Sequence, residues 1–148
     1  MGDVVASQAG AENHPGWLKV FIQLMKLRVI VLLQITAVCA ILVHDLLSRH
    51  ELLQIERTWS DTFFTIIITI IGGTLSAGGS NSINMWYDSD IDKLMTRTQK
   101  RPIPQGYISP VGALIFGIII SLLGSSVFFL LHWKAAFWSF FSVAFYVL

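Results

Sequence analysis

Long apolar runs alternate with short polar connections along the 148 residues, and four runs stand out, near 24–46, 62–82, 109–131 and 135–148. A helix spanning a hydrocarbon core about 30 Å thick needs roughly 20 mostly apolar residues. The first three runs reach that length, whereas the fourth has only about 14 residues before Leu148. The pattern predicts an all-α, polytopic membrane helical bundle with about four spans in this chain.

Each run carries its own packing signal. The first, "MKLRVIVLLQITAVCAILVHDLL", has Lys26 and Arg28 near its start, where long cationic stems are expected to snorkel toward headgroups. Cys39 lies inside it and reads as a small buried hydrophobe. The second ends in Gly72, Gly73, Ala77, Gly78 and Gly79, small residues that let helices approach closely in lipid. The third opens with Ser109 as N-cap and Pro110 in the first turn.

Composition supports the membrane assignment, with 54% hydrophobic and 13% charged residues, where an average soluble domain carries about 25% charged residues. The net charge of +1 offers no basic field for nucleic acid, and that class of partner is set aside. One cysteine builds neither a disulfide framework nor a thiolate metal site. His14, His44, His50 and His132 are scattered and form no metal-ligand pattern. Residues 1–16 are acidic and small, unlike a secretory signal, and are expected to be a disordered, retained tail. Lys19, Lys26 and Arg28 flank the first run, and Lys93, Arg97, Lys100 and Arg101 follow the second. The opposite connections hold Arg49 and Arg57, then Lys134, so the positive-inside rule puts the N-terminus and residues 84–110 in the cytoplasm.

The stretch "NSINMWYDSDIDKLMTRTQKRP" concentrates charge directly after an apolar run. On a helix Asn84, Asp88 and Asp92, spaced by four, form a ridge of oxygens about 6 Å apart along the axis. Asp90 falls off that ridge and is expected to face water or headgroups, near Lys93. Two close carboxylates at a membrane need a cation, and Mg²⁺ takes such oxygens together with water and substrate phosphates. Arg97, Lys100 and Arg101 follow, and guanidinium groups pair well with phosphate oxygens. Carboxylates, metal and cations together suit a diphosphate. The plainer alternative is a solvated interfacial loop, with Pro102 and Pro104 simply extending the backbone before the next helix. Those prolines equally read as holding Arg97 and Arg101 over the ridge. Trp86 and Tyr87 serve either as interfacial anchors or as the lining of a pocket.

The string "NMWYDSDIDKLMTRTQKRPIPQGYISP" resembles the intramembrane (UbiA-type) prenyltransferase superfamily, and within it the protohaem IX farnesyltransferase (haem O synthase) subfamily. The motif N-x-x-x-D-x-x-x-D maps onto Asn84, Asp88 and Asp92, and M-x-R-T-x-x-R-P onto Met95, Arg97, Thr98, Arg101 and Pro102. The resemblance implies a bundle of nine helices in the inner (plasma) membrane, with its site on the cytoplasmic side. It implies Mg²⁺ held by Asn84, Asp88 and Asp92, with Asp88 and Asp92 catalytic. Farnesyl diphosphate would be bound through Arg97, Lys100, Arg101 and Arg28, the last in a K-P-R-like element. Farnesyl would pass to a vinyl group of protohaem IX, giving haem O, with haem A synthase or oxidase-assembly proteins as candidate partners.

Leu27 stands where that element usually has proline, and Ser89 where many relatives have a basic residue. The family's second acidic region and its Y-T…K-R element do not occur within these 148 residues. The chain therefore reads as the N-terminal part (17–148) of a longer prenyltransferase domain and is expected to be inactive alone. A prenyltransferase for another acceptor, such as an aromatic acid or a chlorophyll precursor, and a non-catalytic membrane protein stay open.

Overall fold

The computed structural model describes residues 16–49 and 58–147. The expected tail lies outside these residues apart from Gly16, as do His50 and Arg57. The described residues form helices α1 (Trp17–Met25), α2 (Leu27–Arg49), α3 (Trp59–Tyr87), α4 (Ser89–Asp92), α5 (Pro110–Val127) and α6 (Trp133–Val147), with a 3₁₀ turn at Phe128–Leu130. No strand occurs among them.

Among the described residues three helical segments are long and apolar enough to cross a membrane: Leu27–Ser48, Trp59–Tyr87 and Pro110–Leu130, of 22, 29 and 21 residues. The fourth expected span corresponds to α6, whose 15 residues fall short of the roughly 20 that a span needs. The first run also begins differently from its apolar pattern. A separate helix, α1, precedes it and ends at Lys26, which adopts φ 53° and ψ 54°. Trp17, Val20, Phe21 and Leu24 supply the i, i+3, i+4, i+7 signal for α1, and Val20 and Leu24 are buried.

Local sequence explains the other boundaries. Thr58 and Asp61 form a capping box, the Asp61 amide donating to Thr58 Oγ1 at 3.3 Å and the Thr58 amide to Asp61 Oδ2 at 2.9 Å. From there α3 runs on past its apolar stretch to Tyr87, because "SINMWY" contains no helix breaker. Ser109 caps α5 as expected, accepting from the Gly112 amide at 3.0 Å, with Pro110 in the first turn.

The small residues of α3 do meet a neighbour. A Cβ on Gly124 of α5 would be driven into the Ser76 amide and the Gly72 carbonyl, and one on Gly79 into the backbone of α5 at Gly117 and Ser121. The two backbones therefore touch, as small-residue interfaces in lipid allow. Hydroxyls join α6 to this pair, Ser139 Oγ donating to Ser125 Oγ at 3.0 Å and lying 3.3 Å from Ser76 Oγ.

Helices α2 and α3 run antiparallel and are pinned along their length. Asn81 reaches the Met25 carbonyl at one end, Gln34 bonds the Ile70 carbonyl and Thr74 midway, and Thr62 donates to Asp45 at the other. His44 lies at that far end, 3.0 Å from Asp45. Cys39 is exposed, contrary to the expectation of burial, at an open apolar groove lined by Ile35 and Val38 of α2 and by Ile70 and Thr74 of α3. In a membrane such a groove meets hydrocarbon, and an apolar residue there needs no protein cover.

Candidate functional site

The end of α3 leads straight into the acidic segment. Asp88 is its C-cap, with φ −80° and ψ −1°, and α4 follows as a single turn. The ridge is thus not one unbroken helix. Its spacing survives, because the Asp88 amide bonds Asn84 O at 3.0 Å and the Asp92 amide bonds Asp88 O at 2.9 Å. Asn84 and Asp88 are half-buried, Asp92 is only 3% exposed, and Asp90 faces outward as its position predicts.

The buried Asp92 has a cationic partner. Arg101 Nη1 donates to both of its carboxylate oxygens, at 2.8 and 2.6 Å, and Thr98 Oγ1 donates to the Asp92 carbonyl at 3.1 Å. Asn84 Nδ2 lies 3.5 Å from Asp88 Oδ2, the outer limit of a hydrogen bond, so its amide nitrogen rather than its oxygen faces that carboxylate.

The segment that delivers Arg101 is folded, not extended as its prolines suggest. The Gln105 amide bonds Arg101 O at 3.1 Å and the Tyr107 amide bonds Pro102 O at 3.0 Å, while Gly106 turns at φ 74°. Pro102 and Ile103 are buried, and Ile103 joins Val20, Leu24, Met85 and Ala113 in the apolar cluster beneath the site. That cluster draws α1, the end of α3, the 101–108 segment and the start of α5 together. Trp86 packs against it, while Tyr87 is exposed.

The structure brings together Asn84, Asp88, Asp92 and Arg101. It leaves Arg28, Arg97 and Lys100 exposed at the same end, without ion pairs among the described residues. Lys26, expected to snorkel outward, is half-buried beside the cluster instead. Burial lowers its ammonium pKa first and the nearby Arg101 charge second, with Asp88 and Asp92 pulling the other way. The sequence singles out Lys26 with Arg28 in the K-P-R-like element and Thr98 in the M-x-R-T-x-x-R-P motif, but without a role for either in this cluster.

Among the described residues no three of His, Cys, Asp and Glu gather as a metal site. The donors present, two carboxylates and an amide on successive turns, still suit Mg²⁺, which commonly takes one or two carboxylates plus phosphate oxygens.

A cavity of about 470 Å³ opens between α2, α3 and α6. It runs from Asn81 and Tyr146, one turn from Asn84, to Gly73 and Phe128, and is walled mainly by hydrocarbon. Small-molecule sites span about 300–1,000 Å³.

The chain matches the UbiA prenyltransferase family over residues 52–148. It is 50% identical over 86 residues to a protoheme IX farnesyltransferase of Bartonella tribocorum, covering 57% of this chain and 26% of that protein. It is 37% identical over 131 residues to one from Streptomyces coelicolor, covering 88% of this chain and 38% of that protein. It is 40% identical over 130 residues to one from Bartonella bacilliformis, covering 86% of this chain and 37% of that protein. The chain thus spans between 26% and 38% of the length of these three curated relatives. No solved structure matches. Its match across residues 52–148, the acidic ridge and folded Arg101 segment included, shows that the chain belongs to the UbiA prenyltransferase family.

Proposed function

We propose that this chain is part of an enzyme that transfers a farnesyl group from farnesyl diphosphate to a vinyl group of protohaem IX, giving haem O and diphosphate. The carrying observation is the buried Asp92 gripped by Arg101, one helical turn after Asp88 and on the same stretch of chain as Asn81, which lines the apolar cavity. The names of the relatives support the choice of acceptor and prenyl donor.

In this reading Asn84, Asp88 and Asp92 hold Mg²⁺, which supplies a Lewis acid toward the departing diphosphate. Arg101 stabilises negative charge as the allylic C–O bond breaks, with Arg97, Lys100 and Arg28 closing on the same oxygens. The vinyl carbon of the haem forms the new bond to the farnesyl carbon, and a water oxygen adds to the other vinyl carbon and loses a proton. Carbon, oxygen and charge balance with diphosphate as the leaving group. The hydrocarbon walls near Val29, Leu33 and Phe128 take the prenyl chain and keep water from the reacting carbon. Positive charge on Lys26, Arg28, Lys93 and Arg97 supports a cytoplasmic site, and the bilayer in this reading is the inner (plasma) membrane.

The test uses the full-length gene product in membranes with haem b and farnesyl diphosphate. Asp88→Asn lowers haem O formation by at least about a hundredfold, the scale of losing one strong electrostatic contact to a developing charge. Undiminished transfer by that variant removes the acidic ridge from the mechanism, and wild-type membranes that modify only another acceptor refute the haem assignment.

A further inference from the structure

The cavity between α2, α3 and α6 has a defined length. Gly73, Ser76, Ala77, Ser80 and Asn81 line it from one face of the continuous helix α3, and helical periodicity carries that face on through Asn84 to Asp88. Gly73 lies eleven residues before Asn84, about 16 Å along a helix that rises 1.5 Å per residue. The cavity thus leads away from the acidic ridge as a slot along α3.

Phe128 closes the far end. Helix α5 stops there, and the Phe128 carbonyl accepts both the Leu131 and the His132 amide, each at 3.1 Å, which turns the chain toward α6. The ring edge lies on α3 at Gly72, where an added Cβ would stand 3.0 Å from Phe128 Cε2 and 3.3 Å from Cδ2. Gly72 is buried, and its lack of a side chain lets the ring seat against the helix. Gln34 seals the neighbouring seam between α2 and α3. Its Nε2 donates to the Ile70 carbonyl and to Thr74 Oγ1, both at 3.2 Å, and a Cβ on Gly73 would meet that nitrogen at 2.7 Å.

A slot closed in this way discriminates prenyl chains by length. With carbon–carbon bonds of about 1.5 Å, the extended main chain of a farnesyl group spans about 14 Å, that of a geranyl group about 9 Å and that of a geranylgeranyl group about 19 Å. Three isoprene units fit between Asn84 and Phe128, whereas a fourth has to displace the ring. The turn at the end of α5 and the contact with Gly72 both resist that displacement.

We propose that Phe128 is the specificity-determining residue for prenyl length, its ring on Gly72 limiting the slot to three isoprene units. This rests on the proposed prenyl-transfer site and adds to it the residue that selects the donor. Ala77 gives the opposite lever. It lines the same slot seven residues before Asn84, about 10 Å along the helix, so a larger side chain there leaves room for a geranyl group only.

The experiment measures binding of geranyl, farnesyl and geranylgeranyl diphosphates, each with Mg²⁺, to the full-length protein in detergent by calorimetry. Wild type, Phe128→Ala and Ala77→Leu are compared through the ratio of affinities within each protein, because general damage to the fold weakens all three donors alike. Wild type prefers farnesyl diphosphate. Phe128→Ala raises the affinity for geranylgeranyl relative to farnesyl diphosphate at least about tenfold over wild type, the scale on which apolar pockets discriminate by size. Ala77→Leu raises geranyl relative to farnesyl diphosphate by a similar factor. An unchanged geranylgeranyl-to-farnesyl ratio in Phe128→Ala overturns the proposal, as does a wild type that binds geranylgeranyl as tightly as farnesyl diphosphate. Phe128→Leu keeps apolar bulk on a shorter side chain and takes the place of Phe128→Ala if that variant does not fold, with the same ratio deciding. Haem farnesylation assayed on the same samples separates the two readings. A shifted ratio in a protein that leaves haem unmodified upholds this inference and ends the haem assignment, normal haem O formation with an unshifted ratio does the reverse, and a wild type that binds none of the three donors ends both.

Discussion

Arg101 holds both carboxylate oxygens of Asp92 through a single guanidinium nitrogen, at 2.6 and 2.8 Å, across nine residues of chain. The geometry makes the pair structural as well as chemical, because Asp92 is buried and the segment between them folds around the contact. Arg101→Ala leaves a buried carboxylate without its cation. The cost is about 3 kcal/mol, the lower end for a broken buried pair because the guanidinium retains some solvent. Arg101→Lys recovers part of the loss, since one nitrogen makes both contacts and an ammonium keeps the charge, though its shorter stem has to reach the same oxygens. Thermal unfolding in detergent measures both, and an Arg101→Ala protein as stable as wild type would mean that the contact does not hold the 93–109 segment.

The same pairing predicts competition with metal. Both Asp92 oxygens are occupied by Arg101, and the guanidinium charge repels a second cation. Arg101→Gln therefore binds Mg²⁺ more tightly than wild type when diphosphate is absent, and binds diphosphate more weakly when Mg²⁺ is present. Titration with Mg²⁺ by calorimetry, with and without diphosphate, reads both signs. Weaker Mg²⁺ binding in the diphosphate-free variant would show that Asp92 is not a metal ligand.

Backbone contact between α3 and α5 predicts a cost for any side chain at Gly124. A Cβ there meets the Ser76 amide and the Gly72 carbonyl, neither of which can turn aside. Gly124→Val forces the helices apart and destabilises by about 1–3 kcal/mol, as overpacking does. Gly106→Ala strains a turn at φ 74° but meets no neighbouring atom, so it acts through backbone conformation alone. The two variants differ in cavity geometry, and only Gly124→Val should change access to the pocket beside Ser76. Equal stability of Gly124→Val and wild type would mean that the seam is looser than described.

Much of this architecture is legible in the sequence because a bilayer demands long apolar helices, and the small residues and the Ser109–Pro110 start carry direct steric and capping meaning. The Asn84–Asp88–Asp92 spacing likewise follows from helical periodicity, and Asp90 turned outward as that periodicity requires. What the pattern hid depends on tertiary contacts. The break at Lys26 has no glycine or proline to announce it, and is imposed by Asn81 and Gly78 from 50 or more residues away in the chain. Pro102 and Pro104 favour extended backbone locally, but burial of Ile103 in the cluster under the site bends the segment into turns. Cys39 was misplaced because burial in a soluble core is a poor guide for a helix whose open groove meets lipid.

Lys26 yields a prediction for stability against pH. Its pKa lies below the ordinary 10.5, chiefly because burial disfavours the ammonium and secondly because Arg101 repels it. At alkaline pH the unfolded chain therefore binds more protons at this residue than the folded one. Stability contributed by this group rises as pH increases through the folded pKa toward 10.5, where the penalty on the charged form is relieved. Lys26→Met removes the penalty at every pH. The variant is consequently more thermostable than wild type at neutral pH without diphosphate, and its advantage shrinks as the pH is raised. Thermal unfolding across that pH range checks both the advantage and its decline. A Lys26→Met protein less stable than wild type without ligand would show that Asp88 and Asp92 outweigh burial and Arg101 at this ammonium.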